Sequence, residues 1–200
     1  INRAMMAGDE TTGVSVISLA ERMDAGEIHA TRRLEIDPLE TAGELHDRLA
    51  RLGPDAIDEV LARRARGEVQ AVAQDDADAT HAAKLHRRDA TVDLALDADA
   101  VRARIHGLTP WPGCDLAVRV AEGEAAPDRL RIHRVAASDR ADLPVGVVLE
   151  DGTLGCGEGS VRLLEVQAPG GRVLDWASFT RGRGLPAGAR LERLDRDGGS

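Results

Sequence analysis

The sequence predicts two domains of different class: an α/β domain over residues 1–67 and a small β-barrel domain over residues 86–200, joined by a linker over residues 68–85. The first part alternates β-rich runs with amphipathic helical runs. The last part holds several short apolar runs separated by turn residues, which is typical of a barrel or sandwich. The chain has 200 residues, 42% of them hydrophobic, which is enough to bury a core.

The first elements are a short helix and two strands. The helix ends at Gly8, a glycine stop. The strands are predicted at 14–19 and 28–36, and Asp24 lies in the glycine-punctuated turn between them. A carboxylate at the C-terminal end of a strand in an α/β sheet lies where such sheets bind ligands. Spacing alone favours the simpler interpretation that Asp24 is a turn former.

A helical region follows the strands. Thr41 and Glu44 have the spacing of a capping box, which predicts a helix that begins there. Leucines then recur at helical spacing to form one buried stripe, at positions 45, 49 and 52. Pro54 is expected to break this helix and to open a second one. The arginines at 63, 64 and 66 indicate the solvated C-terminal end of that second helix.

The second domain is predicted to begin with a helix over 99–106 that Asp97 caps. Short strands are expected at 114–121, 129–137, 145–150, 153–156 and 160–168. Asp151-Gly152 indicates a hairpin turn between two of them. A last amphipathic segment over 173–181 carries Trp176 and Phe179, and we expect it to close one end of the barrel.

Composition excludes several classes of protein. The net charge of −9 argues against binding to nucleic acid through bulk electrostatics, although the second half is arginine-rich and nearly balanced. The sequence contains neither a run long enough to span a membrane nor a signal-peptide pattern, so it predicts a cytoplasmic protein without a membrane partner. Cys114 and Cys156 are far apart and are expected to be reduced core residues.

No self-contained catalytic or metal motif is found in the sequence. The glycine-rich run 155–159 follows a strand and opens no helix, so it predicts a turn rather than a phosphate site. The six histidines are scattered without metal-ligand spacing. No metal is therefore expected.

An ordered set of short segments resembles the methionyl-tRNA formyltransferase family, over essentially the whole chain. The matching segments are Ala7-Gly8-Asp9, Thr12-Gly13-Val14-Ser15-Val16, Met23-Asp24-Ala25-Gly26-Glu27-Ile28, Leu52-Gly53-Pro54, Gln74, Ala79 to Leu85, Pro110-Trp111-Pro112-Gly113, Gly146-Val147-Val148, Gly152, Gly157, Val166-Gln167, Pro186 and Gly188. Each segment alone is weak, but their order and spacing are specific.

The resemblance implies an α/β remnant of a Rossmann-like formyltransferase domain, followed by an OB-like small β-barrel domain that helps to hold tRNA. Enzymes of this family move the formyl group of 10-formyltetrahydrofolate to the amino group of initiator methionyl-tRNA. They use an Asn, a His and an Asp at the formyl carbon, and the Asp corresponds to Asp24. The resemblance also implies that Met23, Ala25 and Gly26 form part of the folate pocket.

The same resemblance implies that Lys84, the only lysine, and Arg172 contact tRNA. Arg172 is shifted by one place from the family's basic position, and the linker Tyr of the family is replaced by His81. The family's Asn, His and opening strands precede the segment that matches Ile1. We therefore expect that the front of the domain is missing here and that this piece is inactive alone.

Two other functions are compatible with these residues. One is a related formyltransferase that acts on a sugar amine, since such relatives share the linker pattern and Pro-Trp-Pro. The other is a non-catalytic RNA-binding module, which predicts salt-sensitive binding by residues 86–200 alone. The expected partners of the favoured function are initiator methionyl-tRNA and folate, and the complete enzyme is expected to be a monomer.

Overall fold

The computed structural model describes residues 1–122, 125–182, 184–186 and 188–194. The first part contains helix α1 (Asn2–Ala7), strands β1 (Thr11–Ile17) and β2 (Ile28–Glu35), and helix α2 (Ala42–Ala65). As predicted, α1 ends at Gly8, whose φ of 80° is in the left-handed region. The end of the predicted second domain, 195–200, lies outside the described residues.

The two strands of the first part form an antiparallel pair. This differs from the expected position of Asp24 at the C-terminal end of a strand in an α/β sheet, because Asp24 lies in the loop that joins two antiparallel neighbours. Helix α2 covers one face of the pair. Leu45 and Leu49 of α2 are buried there, and Val14 and Leu34 of the strands pack against them.

Helix α2 begins as predicted and then differs from the prediction. The capping box is present: Thr41 accepts a hydrogen bond from the Glu44 N–H, and Glu44 binds the Thr41 N–H. The expected break at Pro54 is wrong, because the helix is continuous over 24 residues with Pro54 inside it. Pro54 leaves the Ala50 carbonyl without its helical donor, but both residues are exposed, so water can serve instead.

The second part begins with helix α3 (Ala98–Leu108), which Asp97 caps as predicted. Its sheet is built from β3 (Cys114–Arg119), β4 (Arg129–Ser138), β5 (Thr153–Gly155), β6 (Ser160–Gln167) and β8 (Arg190–Arg193), with β7 (Leu174–Asp175) paired to β6. The order in the sheet is β5-β6-β4-β3-β8, and every neighbouring pair is antiparallel. Its apolar face forms a separate aliphatic core.

The predicted strand over 145–150 is wrong. This segment makes only two isolated bridges, Val147 to Arg190 of β8 and Val148 to Leu154 of β5. The two edges of the sheet are thus linked by single bridges and not by a continuous ladder. Helix α4 (Trp176–Gly182) confirms the predicted last segment, since Trp176 and Phe179 are both buried in the core.

The two parts of the chain are in direct contact. Helix α1 packs against α3, where Asn2 Nδ2 donates a hydrogen bond of 2.7 Å to the Gly107 carbonyl. Arg134 of β4 pairs with Glu44 of α2. None of the helices in the described ranges is both long and apolar enough to cross a bilayer.

Candidate functional site

Asp24 lies in the exposed loop 18–27 that joins β1 to β2. It is the one non-glycine residue with positive φ among those described, at 59°. Aspartate tolerates this left-handed conformation better than most residues, which explains its use at the turn. Its side chain is exposed and its carboxylate makes no hydrogen bond or ion pair with the described residues, so it is accessible to a ligand.

Gly26 determines how tightly this loop can close. A Cβ atom at Gly26 would lie 1.8 Å from the carbonyl oxygen of Ser18, so no other residue fits without moving the backbone. The base of the loop is closed by a hydrogen bond of 3.0 Å from the Ser18 N–H to the Glu27 carbonyl. The Ser18 hydroxyl also bonds to His29 Nε2 at 2.6 Å. The two ends of the loop are therefore held together at its base.

The linker runs alongside this loop. Every second linker residue contacts the loop or the start of β2, in antiparallel order. Gln70 contacts His29, and Val72 contacts Ile28. Gln74 contacts Gly26 and Asp24, and Asp76 contacts Arg22. The Val72 and Ile28 main chains exchange two hydrogen bonds, of 2.8 and 2.9 Å. The linker thus runs antiparallel to the loop and is held to it by one isolated bridge at Val72, and Asp76 already lies in a short 3-10 helix over Asp76–Asp78.

Gln74 makes the contact closest to Asp24. Its side-chain Nε2 donates to the carbonyl of Asp24 at 2.7 Å and to the carbonyl of Gly26 at 2.6 Å. Both hydrogens of the amide are therefore used on the two carbonyls that flank Ala25. The resemblance includes Gln74, but no role was predicted for it. The only sequence signal for this contact was that Gln74 lies two residues from both Val72 and Asp76.

Arg22 and Asp76 form an exposed ion pair at the far end of this contact. The Arg22 guanidinium holds the pKa of Asp76 below its usual range, and the pKa of Arg22 is raised in return. Since both side chains are about two-thirds exposed, the pair contributes little to stability. The pair shows that the linker continues alongside the loop as far as Arg22, but it does not bind the linker strongly.

The other residues predicted for the folate pocket lie in the same loop. The Met23 side chain is 87% exposed, Ala25 is half-buried and Gly26 is buried. The larger cavities lie elsewhere, between the two parts of the chain. One of about 790 Å³ is lined by residues 35–40 together with Glu44 and Arg134, and another of about 500 Å³ reaches His106. Asp24 instead lies on open surface and lines neither of these two cavities.

Lys84 is exposed on the linker, as its predicted contact with tRNA requires. Arg3 of α1 donates a hydrogen bond of 3.0 Å to the carbonyl of Ala83, next to it. The structure therefore ties the linker to the first part of the chain at both ends, near Asp24 and near Lys84.

Arg172 is exposed in the loop after β6. Gln167 Nε2 donates to the Gly171 carbonyl at 2.8 Å, which shapes this loop. A small cavity of about 160 Å³ lies beside it, lined by Asp115, Arg129, Arg131, Gln167 and residues 168–170. Arg131 binds both oxygens of the buried Asp115, at 2.7 and 3.0 Å, and this raises the pKa of Arg131. Arg172 is thus near other arginines but distant in sequence from the Asp24 loop.

The two cysteines and His106 lie outside this site. Cys114 and Cys156 are buried and form no disulfide among the described residues, and burial raises the pKa of the Cys156 thiol to about 11. In the ranges that the structure covers, no three side chains of the metal-binding types are grouped to hold an ion. His106 is buried in α3, where its Nε2 accepts the Val135 N–H at 3.1 Å.

Two family models match the chain. The model described as "Formyl transferase" matches residues 1–61, and that described as "Formyl transferase, C-terminal domain" matches residues 84–184. The first match contains the Asp24 loop and the second contains Lys84 and Arg172. The contact between the Asp24 loop and Gln74 lies at the junction, since Gln74 falls between the two matched ranges.

Curated relatives match nearly the whole chain. A methionyl-tRNA formyltransferase of Bradyrhizobium sp. (strain BTAi1 / ATCC BAA-1182) is 40% identical over 191 residues, which cover 96% of this chain and 60% of that protein. One of Phenylobacterium zucineum (strain HLK1) is 40% identical over 192 residues, covering 96% and 61%. The chain thus spans about three-fifths of the length of these relatives.

Solved structures with the same fold include HypX from Aquifex aeolicus in complex with tetrahydrofolic acid, with a TM-score of 0.60 at 17% identity, covering 91% of this chain and 33% of that one. WlaRD, a sugar 3N-formyl transferase, has a TM-score of 0.54 at 12% identity, covering 97% and 59%. At these identities the likeness concerns the fold alone.

Proposed function

Because this chain belongs to the formyl transferase family, we propose that it provides the Asp24 loop and the tRNA-contacting surface of a methionyl-tRNA formyltransferase. Such an enzyme moves the formyl group of 10-formyltetrahydrofolate to the amino group of initiator methionyl-tRNA. The observation that carries the proposal is 40% identity to a methionyl-tRNA formyltransferase over 191 residues, a length that includes the loop, the linker and the second part together.

In this proposal Asp24 acts through its carboxylate at the formyl carbon. The attacking amine must lose a proton, and negative charge develops on the carbonyl oxygen. A carboxylate beside the family's His orients that ring, favours its protonated form and assists the proton transfer. The accessible carboxylate of Asp24 and its lack of a competing partner among the described residues support this role.

The folate donor supplies the activated formyl group when bound. The loop fits the donor as one wall: the exposed Met23 side chain is an apolar surface for a ring, and Ala25 and Gly26 present main chain beside it. Gly26 keeps this main chain in close contact with Ser18. These residues would bind and orient the donor, and Asp24 would hold the proton.

We further propose the domain boundaries 1–67, 68–85 and 86–200, with an OB-like arrangement of the last domain. The antiparallel sheet and the bridges that link its edges support that arrangement. Lys84 and Arg172 are assigned to tRNA contact, because both are exposed cations next to structured turns. The assembled enzyme is proposed to act as a monomer in the cytoplasm.

The test joins this chain behind the part of the Bradyrhizobium relative that precedes the matched segment. The assembled enzyme is assayed for formyl transfer from 10-formyltetrahydrofolate to initiator methionyl-tRNA, in competition with a nucleotide-linked sugar amine. We expect transfer to the tRNA and none by the 200-residue chain alone. Transfer to the sugar amine instead would support a sugar formyltransferase and overturn the proposal.

Two further outcomes would also contradict it. Robust turnover by the 200-residue chain alone would mean that the active site is wrongly placed around Asp24. Salt-sensitive RNA binding by the chain, together with an assembled enzyme that transfers no formyl group, would favour a non-catalytic RNA-binding module.

A further inference from the structure

We propose that Gln74 is a positioning residue that holds the Asp24 loop in its reactive conformation through the main chain. The inference rests on the proposed role of Asp24 and adds a residue of the linker to that site. Gln74 does not touch the carboxylate. It binds the carbonyls of Asp24 and Gly26, at 2.7 and 2.6 Å, and so fixes the Asp24–Ala25 and Gly26–Glu27 peptide units.

The loop has few other restraints near Asp24. Within it, the Ala25 N–H reaches the Arg22 carbonyl only at 3.4 Å, and Leu19 and Met23 are almost fully exposed. The positive φ of Asp24 is a conformation that an aspartate adopts only where its surroundings favour it. A donor that binds the carbonyls before and after Ala25 supplies this restraint.

The chemistry of the contact requires a side chain with two donors and a reach of three bonds beyond Cβ. Glutamine has both, because its amide nitrogen carries two hydrogens. Glutamate has the same shape but only accepts when ionised, so it would place negative oxygens against two carbonyls. Lysine is longer and donates up to three hydrogen bonds, so it can replace the contact in part.

The neighbouring contacts of the linker make it possible to separate a role of Gln74 in holding residues 24–27 from a role in holding the whole linker. The two main-chain bonds between Val72 and Ile28 and the Arg22–Asp76 ion pair do not depend on the Gln74 side chain. A change at Gln74 should therefore leave the linker in place and loosen only the peptides around Ala25. Ala73 is the neighbour of Gln74 in the linker, is exposed and makes none of these contacts, so it provides the matched control.

The test compares Gln74→Glu, Gln74→Lys and Ala73→Glu in the 200-residue chain by NMR relaxation. We expect the backbone order parameters of residues 23–26 to fall from about 0.85 to below about 0.6 in Gln74→Glu. Those of the strands in the second part should not change. Gln74→Lys should stay near the wild type because it keeps a donor, and Ala73→Glu should match the wild type because Ala73 takes no part in the contact with the loop.

The same variants are assayed in the assembled enzyme. Gln74→Glu should lower kcat by about tenfold or more, the effect of misplacing a reacting group, with KM for tRNA within about twofold of the wild type. Unchanged order parameters in Gln74→Glu, equal loosening in Ala73→Glu, or loosening with unchanged kcat would each overturn the inference. An assembled wild type without activity would instead count against the proposed function, and the relaxation result would still decide whether Gln74 holds the loop.

Discussion

Arg134 of β4 binds the carboxylate of Glu44, a residue 90 positions earlier that also caps helix α2. The Nη2 to Oε1 distance is 2.7 Å. The same guanidinium lies 3.4 Å from Glu165 of β6. One arginine of the second part thus binds the start of the long helix of the first part, and this pair connects the two parts of the chain.

We expect Glu44→Gln to weaken this connection in a pH-dependent way. Arg134 lowers the pKa of Glu44 from 4.5 to about 2. A lowered folded-state pKa means that the stabilisation is complete above the unfolded value of 4.5 and is lost as the pH falls towards 2. Since Glu44 is half exposed, we expect a loss of only about 1 kcal/mol. Glutamine retains the capping contact, so the change isolates the charge.

Urea unfolding at pH 6 and at pH 3 checks this expectation. The difference between Glu44→Gln and the wild type should be larger at pH 6 than at pH 3. Glu122 is exposed, so Glu122→Gln is the control for the loss of a surface charge. Its free energy of unfolding should equal that of the wild type at both values of pH. An equal loss for Glu44→Gln at both values of pH would contradict the ion-pair explanation.

His106 is expected to make the protein less stable in mild acid. Burial, with Arg102 and Arg134 nearby, lowers its pKa from 6.5 to about 4, while Glu44 acts in the opposite direction. Between pH 6.5 and pH 4, the imidazole is therefore protonated in the unfolded chain but neutral in the folded chain. The free energy of unfolding falls as the pH drops below 6.5. The loss is about 2 to 3 kcal/mol by pH 4.5.

This loss should disappear in His106→Gln, whose amide oxygen can still accept the Val135 N–H but does not titrate. The measurement is the free energy of unfolding at pH 7 and pH 4.5. The exposed His46→Gln should keep the full dependence. If His106→Gln kept the pH dependence of the wild type, the loss of stability in acid would come from other titratable groups.

Two glycines are expected to respond in opposite ways to alanine. At Gly26 the new Cβ would meet the Ser18 carbonyl at 1.8 Å, so Gly26→Ala should displace the loop and cost about 1 to 3 kcal/mol. At Gly53, inside α2, nothing beyond its chain neighbours and the backbone of its own helix lies within 4 Å, so Gly53→Ala should stabilise the protein through helix propensity, by less than about 1 kcal/mol because Pro54 crowds the new Cβ. Thermal unfolding of the pair measures both, and a gain in stability for Gly26→Ala would mean that the loop closes differently.

Asp24→Asn should abolish most activity without disturbing the fold. Asparagine also tolerates positive φ, so the free energy of unfolding should change by less than about 0.5 kcal/mol. Formyl transfer by the assembled enzyme should fall by about 10² to 10⁴, the range for loss of a proton-transferring group. Glu21→Gln removes an exposed carboxylate of the same loop and should keep full activity. Comparable activity in Asp24→Asn would exclude a catalytic carboxylate.

Much of the local structure followed from the sequence because its causes are local. The cap at Asp97 and the box at Thr41 and Glu44 depend on side chains three residues from the groups that they bind. The helix over Pro54 was mispredicted because the local cost of proline is outweighed by packing of the leucine stripe on β1 and β2. The segment over 145–150 has the composition of a strand, but it forms only two isolated bridges, one to β8 and one to β5.

The sequence by itself determined where helices α2 and α3 begin, the turn at Asp24 and the family to which the chain belongs. Only the tertiary structure decided what binds the main chain of the Asp24 loop. Gln74 meets the Asp24 carbonyl across 50 positions and Arg134 meets Glu44 across 90. Such contacts depend on which surfaces pack together and on the register of the linker beside the loop. Periodicity and spacing report burial and local turns, but they do not encode which distant amide reaches which carbonyl.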